Sequence, residues 1–310
     1  MSDFKDNFSV KEKLIEALTA FDISQNKAAK ELGYTPSVLS QYLKGTYNGD
    51  LAKVEEAIIK WIFRKTEAAG KKHVPIVETS VLKQMTRAIR LAHDEKDIAL
   101  IVSDAGSGKT TTAKRYAEEN ERTTILIKCS GAMNKKVLTT KIAEQLGIET
   151  YRTNFNNIVD NVISSLKEYN RIVIIDEADY LKDDALEFSR RLVNDLGETG
   201  LVLIGLPKLV FTIQNLKNNH RQLESRIGVF LKLDGLTKTD AQKIAASVWE
   251  NVSKDIVDAI YDISRKDVRQ FVKIINRAQN IMAVNNQQSV DFEIIEMAGS
   301  MILRRNYSED

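Results

Sequence analysis

Apolar residues between positions 10 and 65 recur at helical spacing: Val10, Leu14, Ile15 and Leu18, then Ala28, Ala29 and Leu32, then Leu39, Tyr42 and Leu43. This pattern predicts a small all-helical unit over residues 1–66. The stretch TEAAGKKH that follows is small, charged and glycine-containing, and Pro75 comes soon after, so residues 67–76 read as a linker. From Val77 the pattern changes to short apolar runs, IALIV, TTILIKC, RIVIIDE, LVLIG and VFLKL, separated by longer stretches of helical period. Parallel strands need long crossovers, usually helices, so residues 77–233 are expected to form an α/β unit whose parallel sheet is covered on both faces. Beyond Leu233 no strand-like run recurs, and LTKTDAQKIAASVW, KDIVDAIYDI, DVRQFVKIINRAQNI and FEIIEMAGSMIL read as amphipathic helices of a subdomain over 234–310. Internal repeats and low-complexity tracts are absent from the sequence.

Composition adds constraints rather than a function. A chain of 310 residues with 43% hydrophobic and 28% charged residues is long for one core and too apolar for a disordered protein. The net charge of +2 leaves local patches, not a global field, to attract any nucleic acid. Cys129, the single cysteine, cannot form an internal disulfide and lies in an apolar run that reads as buried strand, which fits a reducing cytoplasm. The N-terminus lacks the apolar core of a signal peptide and no run approaches membrane-span length, so a cytoplasmic protein without membrane contact is expected.

The chemistry is concentrated at the ends of two strands. After IALIV stands SDAGSGKTTT, in which Ala105, Gly106, Ser107, Gly108, Lys109, Thr110 and Thr111 lead directly into a helix-forming run. A strand, a glycine-rich loop and a helix N-terminus aim backbone N–H groups and the positive helix end at one point, an arrangement suited to phosphates. Lys109 is expected to bridge the β and γ phosphates of ATP and Thr110 to place its hydroxyl on Mg²⁺. Ser103 replaces the first glycine of the GxxxxGK[ST] pattern, at the position least involved in touching phosphate. The second strand end is IVIIDEAD, a buried run closing on Asp176 and Glu177. That strand is expected to lie beside the phosphate-loop strand, so that Asp176 holds Mg²⁺ and Glu177 polarises the attacking water. Together the two motifs predict an ATPase.

In the N-terminal unit, SQNKAAKELGYTPSVLSQYLKG has the layout of a helix-turn-helix. Ser24 caps one helix, Gly33 permits the turn, and Thr35 with Pro36 begins the second helix, whose Leu39, Tyr42 and Leu43 face inward. Ser37, Ser40, Gln41 and Lys44 are left outward, polar groups that can read base edges or grip phosphates. A small helical unit that docks protein is the alternative. Trp61 and Ile62 are expected to close the unit's core, and His73, His93 and His220 lack metal-ligand spacing.

From Glu78 to the C-terminus these residues resemble the AAA+ superfamily. The resemblance implies a P-loop parallel sheet with a C-terminal helical lid, here preceded by the small all-α helix-turn-helix domain. It also implies a first sensor after LVLIG, where this chain has apolar Leu206 instead of a polar residue. In QLESRIGVFLKL it makes Arg226 the finger that reaches a neighbour's ATP, with Arg221 the runner-up, and in KDVRQFVKII it makes Arg269 the second sensor. A finger supplied in trans implies a ring or helical filament. Over nearly its full length, in the order of IVIIDEADYL, LVLIGLPKL, LESRI and GTYNGD, the chain is similar to the Mu-type transposition B proteins. That resemblance implies non-specific binding of double-stranded DNA by an ATP-bound filament, delivery of the DNA to a transposase, and release on hydrolysis. It directs attention to Lys135, Lys136 and Arg152 as DNA contacts, with Lys182, Arg304 and Arg305 behind them. An AAA+ origin initiator or helicase loader would share every motif from Lys109 to Arg269, and a signalling or secretion ATPase with a protein-docking N-terminal unit is the reading from another class.

Overall fold

The structure, a computed structural model, describes residues 10–21, 23–70, 74–131, 133–215, 221–285 and 287–300. The chain divides into two compact units, Met1–His73 and Val74–Asp310.

The first unit holds α1 (Val10–Ala20), α2 (Gln25–Leu32), α3 (Pro36–Lys44) and α4 (Leu51–Gly70). Local chemistry sets the boundaries of the middle pair. The Ser24 hydroxyl accepts the Lys27 N–H at 3.4 Å at the start of α2, and Gly33 ends that helix in the left-handed conformation (φ 79°), where a Cβ is disfavoured. Thr35 accepts the Val38 N–H at 3.5 Å, and Pro36 fills the first turn of α3, where its missing N–H costs nothing. Leu14, Ala28, Ala29, Leu39, Tyr42, Val54, Ile58 and Trp61 form the core, with Leu18, Leu32, Leu43 and Ile62 packed partly against it. Ile15 departs from the expected inward face and is 48% exposed. The two amphipathic aromatics keep their polar ends satisfied: Trp61 Nε1 donates to Glu31 at 2.9 Å and the Tyr42 hydroxyl donates to Glu55 at 3.1 Å.

The second unit opens with α5 (Ser80–Asp94) and builds one parallel sheet from β1 (Ile98–Val102), β2 (Thr124–Lys128), β3 (Ile172–Asp176), β4 (Gly200–Gly205) and β5 (Ile227–Lys232). The crossovers carry α6 (Lys109–Glu119), α7 (Lys135–Gln145), α8 (Phe155–Glu168), α9 (Asp183–Ser189), α10 (Lys208–Asn215) and α11 (Arg221–Ser225). Strand order is β2-β3-β4-β1-β5, and β1, β3 and β4 are buried along their whole length, as strands covered on both faces must be. One face packs Leu138, Ile142, Val162, Leu166, Leu186 and Leu192 against the strands, and the other packs Val81, Met85, Ile89, Ala113 and Tyr116.

Two expectations require correction. The strand ending in Asp176 does not lie beside the phosphate-loop strand, because β4 pairs with both and separates them. Several equally apolar strands satisfy the same hydrophobic pattern, so the pattern does not fix their order. Nor do residues 67–76 form a linker throughout. Helix α4 runs on to Gly70, and Val74 and Val77 pack against the core of the helical subdomain.

That subdomain comprises α12 (Lys238–Ala246), α13 (Lys254–Ser264), α14 (Val268–Val284) and α15 (Phe292–Ser300), wrapped around fully buried Phe271, Ile274, Ile275 and Ala278. Asp240 on α12 is 2% exposed and accepts bonds from the Ser80 N–H at 3.0 Å, from the Ser80 hydroxyl and from Thr237 Oγ1 at 2.8 Å. The start of the lid is thereby tied to the start of α5, since a buried carboxylate without such donors would be costly.

Candidate nucleotide site

The C-terminal ends of β1, β3 and β4 converge on a cavity of about 480 Å³, where parallel α/β sheets place ligands. Its walls include Ala105, Gly106, Ser107, Gly108, Lys109, Thr110 and Thr111, with Asp176, Glu177 and Asp179 opposite and Arg269 and Lys273 from the lid. Sequence reasoning placed the phosphate loop, the acidic strand end and Arg269 apart along the chain, and the structure brings them together.

Gly106 (φ 80°) and Gly108 (φ 97°) carry the loop through the left-handed region, and Gly108 caps α6, so the first N–H groups of that helix end at the cavity. A Cβ on Gly108 would meet nothing within 4 Å on its open side, so backbone can approach a ligand closely there. Lys109 Nζ donates to the carbonyls of Ser103 and Asp104, both at 2.7 Å, and to Ser107 Oγ at 3.3 Å. Burial pulls its pKa below the ordinary lysine value, against the opposing charges of Asp176, Asp104 and Asp179. Ser103, in place of the motif's first glycine, is 2% exposed and its Oγ has no hydrogen-bond partner.

Asp176 is 3% exposed and its Oδ1 accepts the Glu177 N–H at 3.0 Å. Glu177 adopts a left-handed backbone conformation (φ 57°, ψ 40°), and its carboxylate lies 3.3 Å from Lys128 Nζ at the end of β2. The lid reaches the loop directly: the Arg269 N–H donates to the Gly106 carbonyl at 3.2 Å, and a Cβ on Gly106 would fall 2.1 Å from Asp267 Oδ1. Gly106 is thus required both by its backbone angle and by the carboxylate against it. A neighbouring apolar recess of about 240 Å³ is lined by Val74, Ile76, Val77, Leu82, Ile244, Val268 and Val272 beside Gly108 and Thr111. A pocket that pairs the Lys109, Arg269 and Lys273 cations with helix N–H groups, and that shares Gly108 and Thr111 with an apolar recess, has the chemistry for a phosphorylated group joined to a flat apolar base. The recess escaped sequence reasoning, although the apolar letters of VPIV in its lining were visible in the sequence.

A protein-family model described as an AAA domain matches residues 89–213. The chain carries an AAA domain and is an ATPase. Its sequence is 26% identical over 265 residues to the ATP-dependent target DNA activator B of Escherichia phage D108, covering 83% of this chain and 82% of that protein. A DNA transposition protein B of a Mu-like prophage in Haemophilus influenzae is 25% identical over 238 residues, covering 75% of this chain and 83% of the relative. Among solved structures, a Cdc6p from Pyrobaculum aerophilum superposes with a TM-score of 0.59 at 19% identity, over 73% of this chain and 68% of that one, a likeness of fold. The resemblance to the phage Mu-type B proteins therefore extends well beyond the AAA domain.

Most of the other residues singled out in the sequence lie away from this ATPase's nucleotide cavity, Leu206 excepted. Arg226, in the turn between α11 and β5, is 60% exposed, and its guanidinium lies 3.9 Å from Asp195 in a depression shared with Lys96, Asn194 and Glu198. Arg221 is the first residue of α11. Leu206 lines the nucleotide cavity with an apolar side chain, and its N–H donates to Asp179 at 3.2 Å. Lys135 and Lys136 are exposed in the first turn of α7, although Lys135 shares a depression with Asp183, Asp184 and Glu187, which weakens its positive field. Arg152 is exposed (φ 58°) and sits 5.1 Å over the ring of Tyr151, itself 73% exposed. Lys182 is exposed before α9. In the N-terminal unit Ser37, Gln41 and Lys44 are exposed and Ser40 is half-buried, the outward face of α3.

His93 bridges the Tyr116 hydroxyl (3.4 Å) and the Asn170 carbonyl (3.2 Å), a structural role. Burial raises the Cys129 thiol pKa to about 12, which leaves it inert. His73, His220, Arg304 and Arg305 lie outside the described residues. Among the described residues no helix is long and apolar enough to cross a membrane, and no group of three or more His, Cys, Asp or Glu side chains could hold a metal alone.

Proposed function

We propose that this protein is an ATP-dependent activator of target DNA for transposition: it binds double-stranded DNA without sequence preference as an ATP-bound filament or ring in the cytoplasm, delivers that DNA to a transposase, and lets go on hydrolysis. The observation that carries the reading is the joining, in one cavity, of the phosphate loop, the Asp176–Glu177 strand end and Arg269 of the lid, in a chain similar over most of its length to proteins named for target DNA activation and for DNA transposition. Lys109 and the N–H groups at the start of α6 bind the phosphates, and Glu177 accepts a proton from the attacking water. Arg269 ties lid position to the bound phosphate. The residues suit Mg²⁺: Thr110 and buried Asp176 would hold it together with phosphate oxygens, the usual sparse protein ligation of that ion, and it would supply positive charge against the charge developing on the phosphoryl group. Exposed Lys135, Lys136 and Arg152 are the proposed backbone contacts to DNA, with Ser37, Ser40, Gln41 and Lys44 of the helix-turn-helix as a second contact face.

Arg226 is proposed to complete a neighbour's site, which its exposure and its place outside its own nucleotide cavity support. Arg226→Ala is expected to bind ATP nearly as the parent does and to lose hydrolysis stimulated by DNA, roughly 10³-fold if it acts as an arginine finger. Mixing is the test. Arg226→Ala subunits still offer an intact phosphate loop and Lys109→Ala subunits an intact arginine, so the mixture contains some whole composite sites and is expected to recover part of the ATPase rate on DNA. Parent-rate hydrolysis by Arg226→Ala alone contradicts the assignment and makes Arg221 the next residue to test.

A further inference from the structure

Glu177 stands at the end of β3 in a left-handed backbone conformation that disfavours any residue with a Cβ. Such a conformation persists only where surrounding structure fixes it, so what holds the turn after Glu177 decides where its carboxylate points. The turn is a single 3-10 element, Ala178–Tyr180. In it the Asp179 side chain is 2% exposed, with Oδ1 accepting the Leu206 N–H at 3.2 Å and Oδ2 in an ion pair with Lys208 Nζ at 3.0 Å. A Cβ on Gly205 would lie 3.0 Å from Asp179 Oδ1, so the carboxylate packs directly against the tip of β4. The Lys208 ammonium also sits 5.3 Å over the ring of Tyr180. A single cation from the start of α10 therefore grips two of the three residues that follow the strained glutamate.

The arrangement accounts for two otherwise unrelated features. The cavity holds a third carboxylate beyond Asp176 and Glu177, that of Asp179, and Lys208 sets a positive charge 3.0 Å from it. The bond and the charge of Asp179 in turn push the Lys208 pKa above the ordinary lysine value. Leu206 offers the nucleotide no polar group, and the end of β4 acts through its backbone N–H and through Lys208 instead.

We propose that Lys208 is a positioning residue for hydrolysis, which clamps Asp179 and Tyr180 to the end of β4 and so holds the left-handed turn that aims Glu177 into the nucleotide cavity. The proposal rests on the role given to Glu177 above. Because the clamp acts on the turn and not on the phosphate loop, its loss should lower turnover and spare nucleotide affinity.

In the full chain, Lys208→Met is expected to lower kcat on the order of 10- to 100-fold, the cost of a small misplacement of a reacting group. Affinity for a slowly hydrolysed ATP analogue should stay within about twofold, and amide exchange in the segment after Glu177 should become faster. Lys208→Arg is expected to restore most of the rate. Glu177→Gln measured alongside separates the two readings. If Glu177→Gln turns over like the parent, the role of Glu177 falls and the clamp with it. If it is inactive while Lys208→Met turns over normally, the clamp alone is overturned. Loss of nucleotide affinity in step with the rate, or unchanged exchange in the turn, also overturns it. Should Lys208→Met not fold, Asp179→Asn, which keeps the Leu206 bond and removes the charge, is measured with the same expectation, and a parent kcat in that protein overturns the clamp.

Discussion

Lys109→Ala is expected to lose nucleotide binding, with affinity for a fluorescent ATP analogue falling roughly 10²- to 10⁴-fold. The lysine's ammonium lies where the phosphate loop folds back on itself, bonded to the Ser103 and Asp104 carbonyls at 2.7 Å. Phosphate oxygens would take it over as stronger, charged acceptors. Each charge-assisted bond of this kind contributes about 1.5–3 kcal/mol, and two of them correspond to that range of affinity. Alanine keeps the helix, since it is the best helix former, so the loss would reflect the missing cation and not a disordered loop. A change of threefold or less would contradict the placement of the phosphates at Lys109.

Glu177→Gln is expected to separate binding from chemistry. The amide has the same shape, can stay in the same left-handed turn and still lines the cavity, so nucleotide affinity should change by no more than a few-fold. It cannot accept a proton from water. General-base catalysis contributes roughly 10²- to 10⁴-fold, and kcat should fall by that factor. The neighbouring Lys128, 3.3 Å away, makes the comparison more telling. The substitution removes a partly exposed ion pair of small energetic worth, so a large loss of rate would reflect the lost base and not a loss of folding. Normal turnover by Glu177→Gln would remove the glutamate from the mechanism.

The parts of the site legible in the sequence are those written contiguously. The loop from Ala105 to Thr111 and the run from Ile172 to Glu177 each carry a strand end and its chemistry in a few adjacent letters, and both line the cavity. The caps of the helix-turn-helix were legible for the same reason, because Ser24, Gly33 and Thr35 act on backbone within three residues of themselves. What the sequence hid is non-local. Asp179 meets Leu206 and Lys208 only because β4 lies beside β3, and no spacing rule announces a partner 29 residues away when the strand order itself is open. Val74 looked like the end of a linker because a short apolar run after charged residues has no period, and only packing against the lid's core, together with Val77, gives it a role. Arg269 lay between these cases. Its place on an amphipathic helix was legible, whereas its approach to Gly106 depends on how the lid folds back on the phosphate loop.

Under the proposed function, nucleotide state at the Lys109 site controls hold on DNA. Co-sedimentation of the full chain with duplex DNA of mixed sequence tests it most directly, with a slowly hydrolysed ATP analogue, with ADP and with neither, across a salt series. The expected result is pelleting with the analogue alone, falling steeply as salt rises because the contacts are to phosphates, and none in any condition for Lys109→Ala. Equal pelleting with the analogue, with ADP and without nucleotide would contradict the claim.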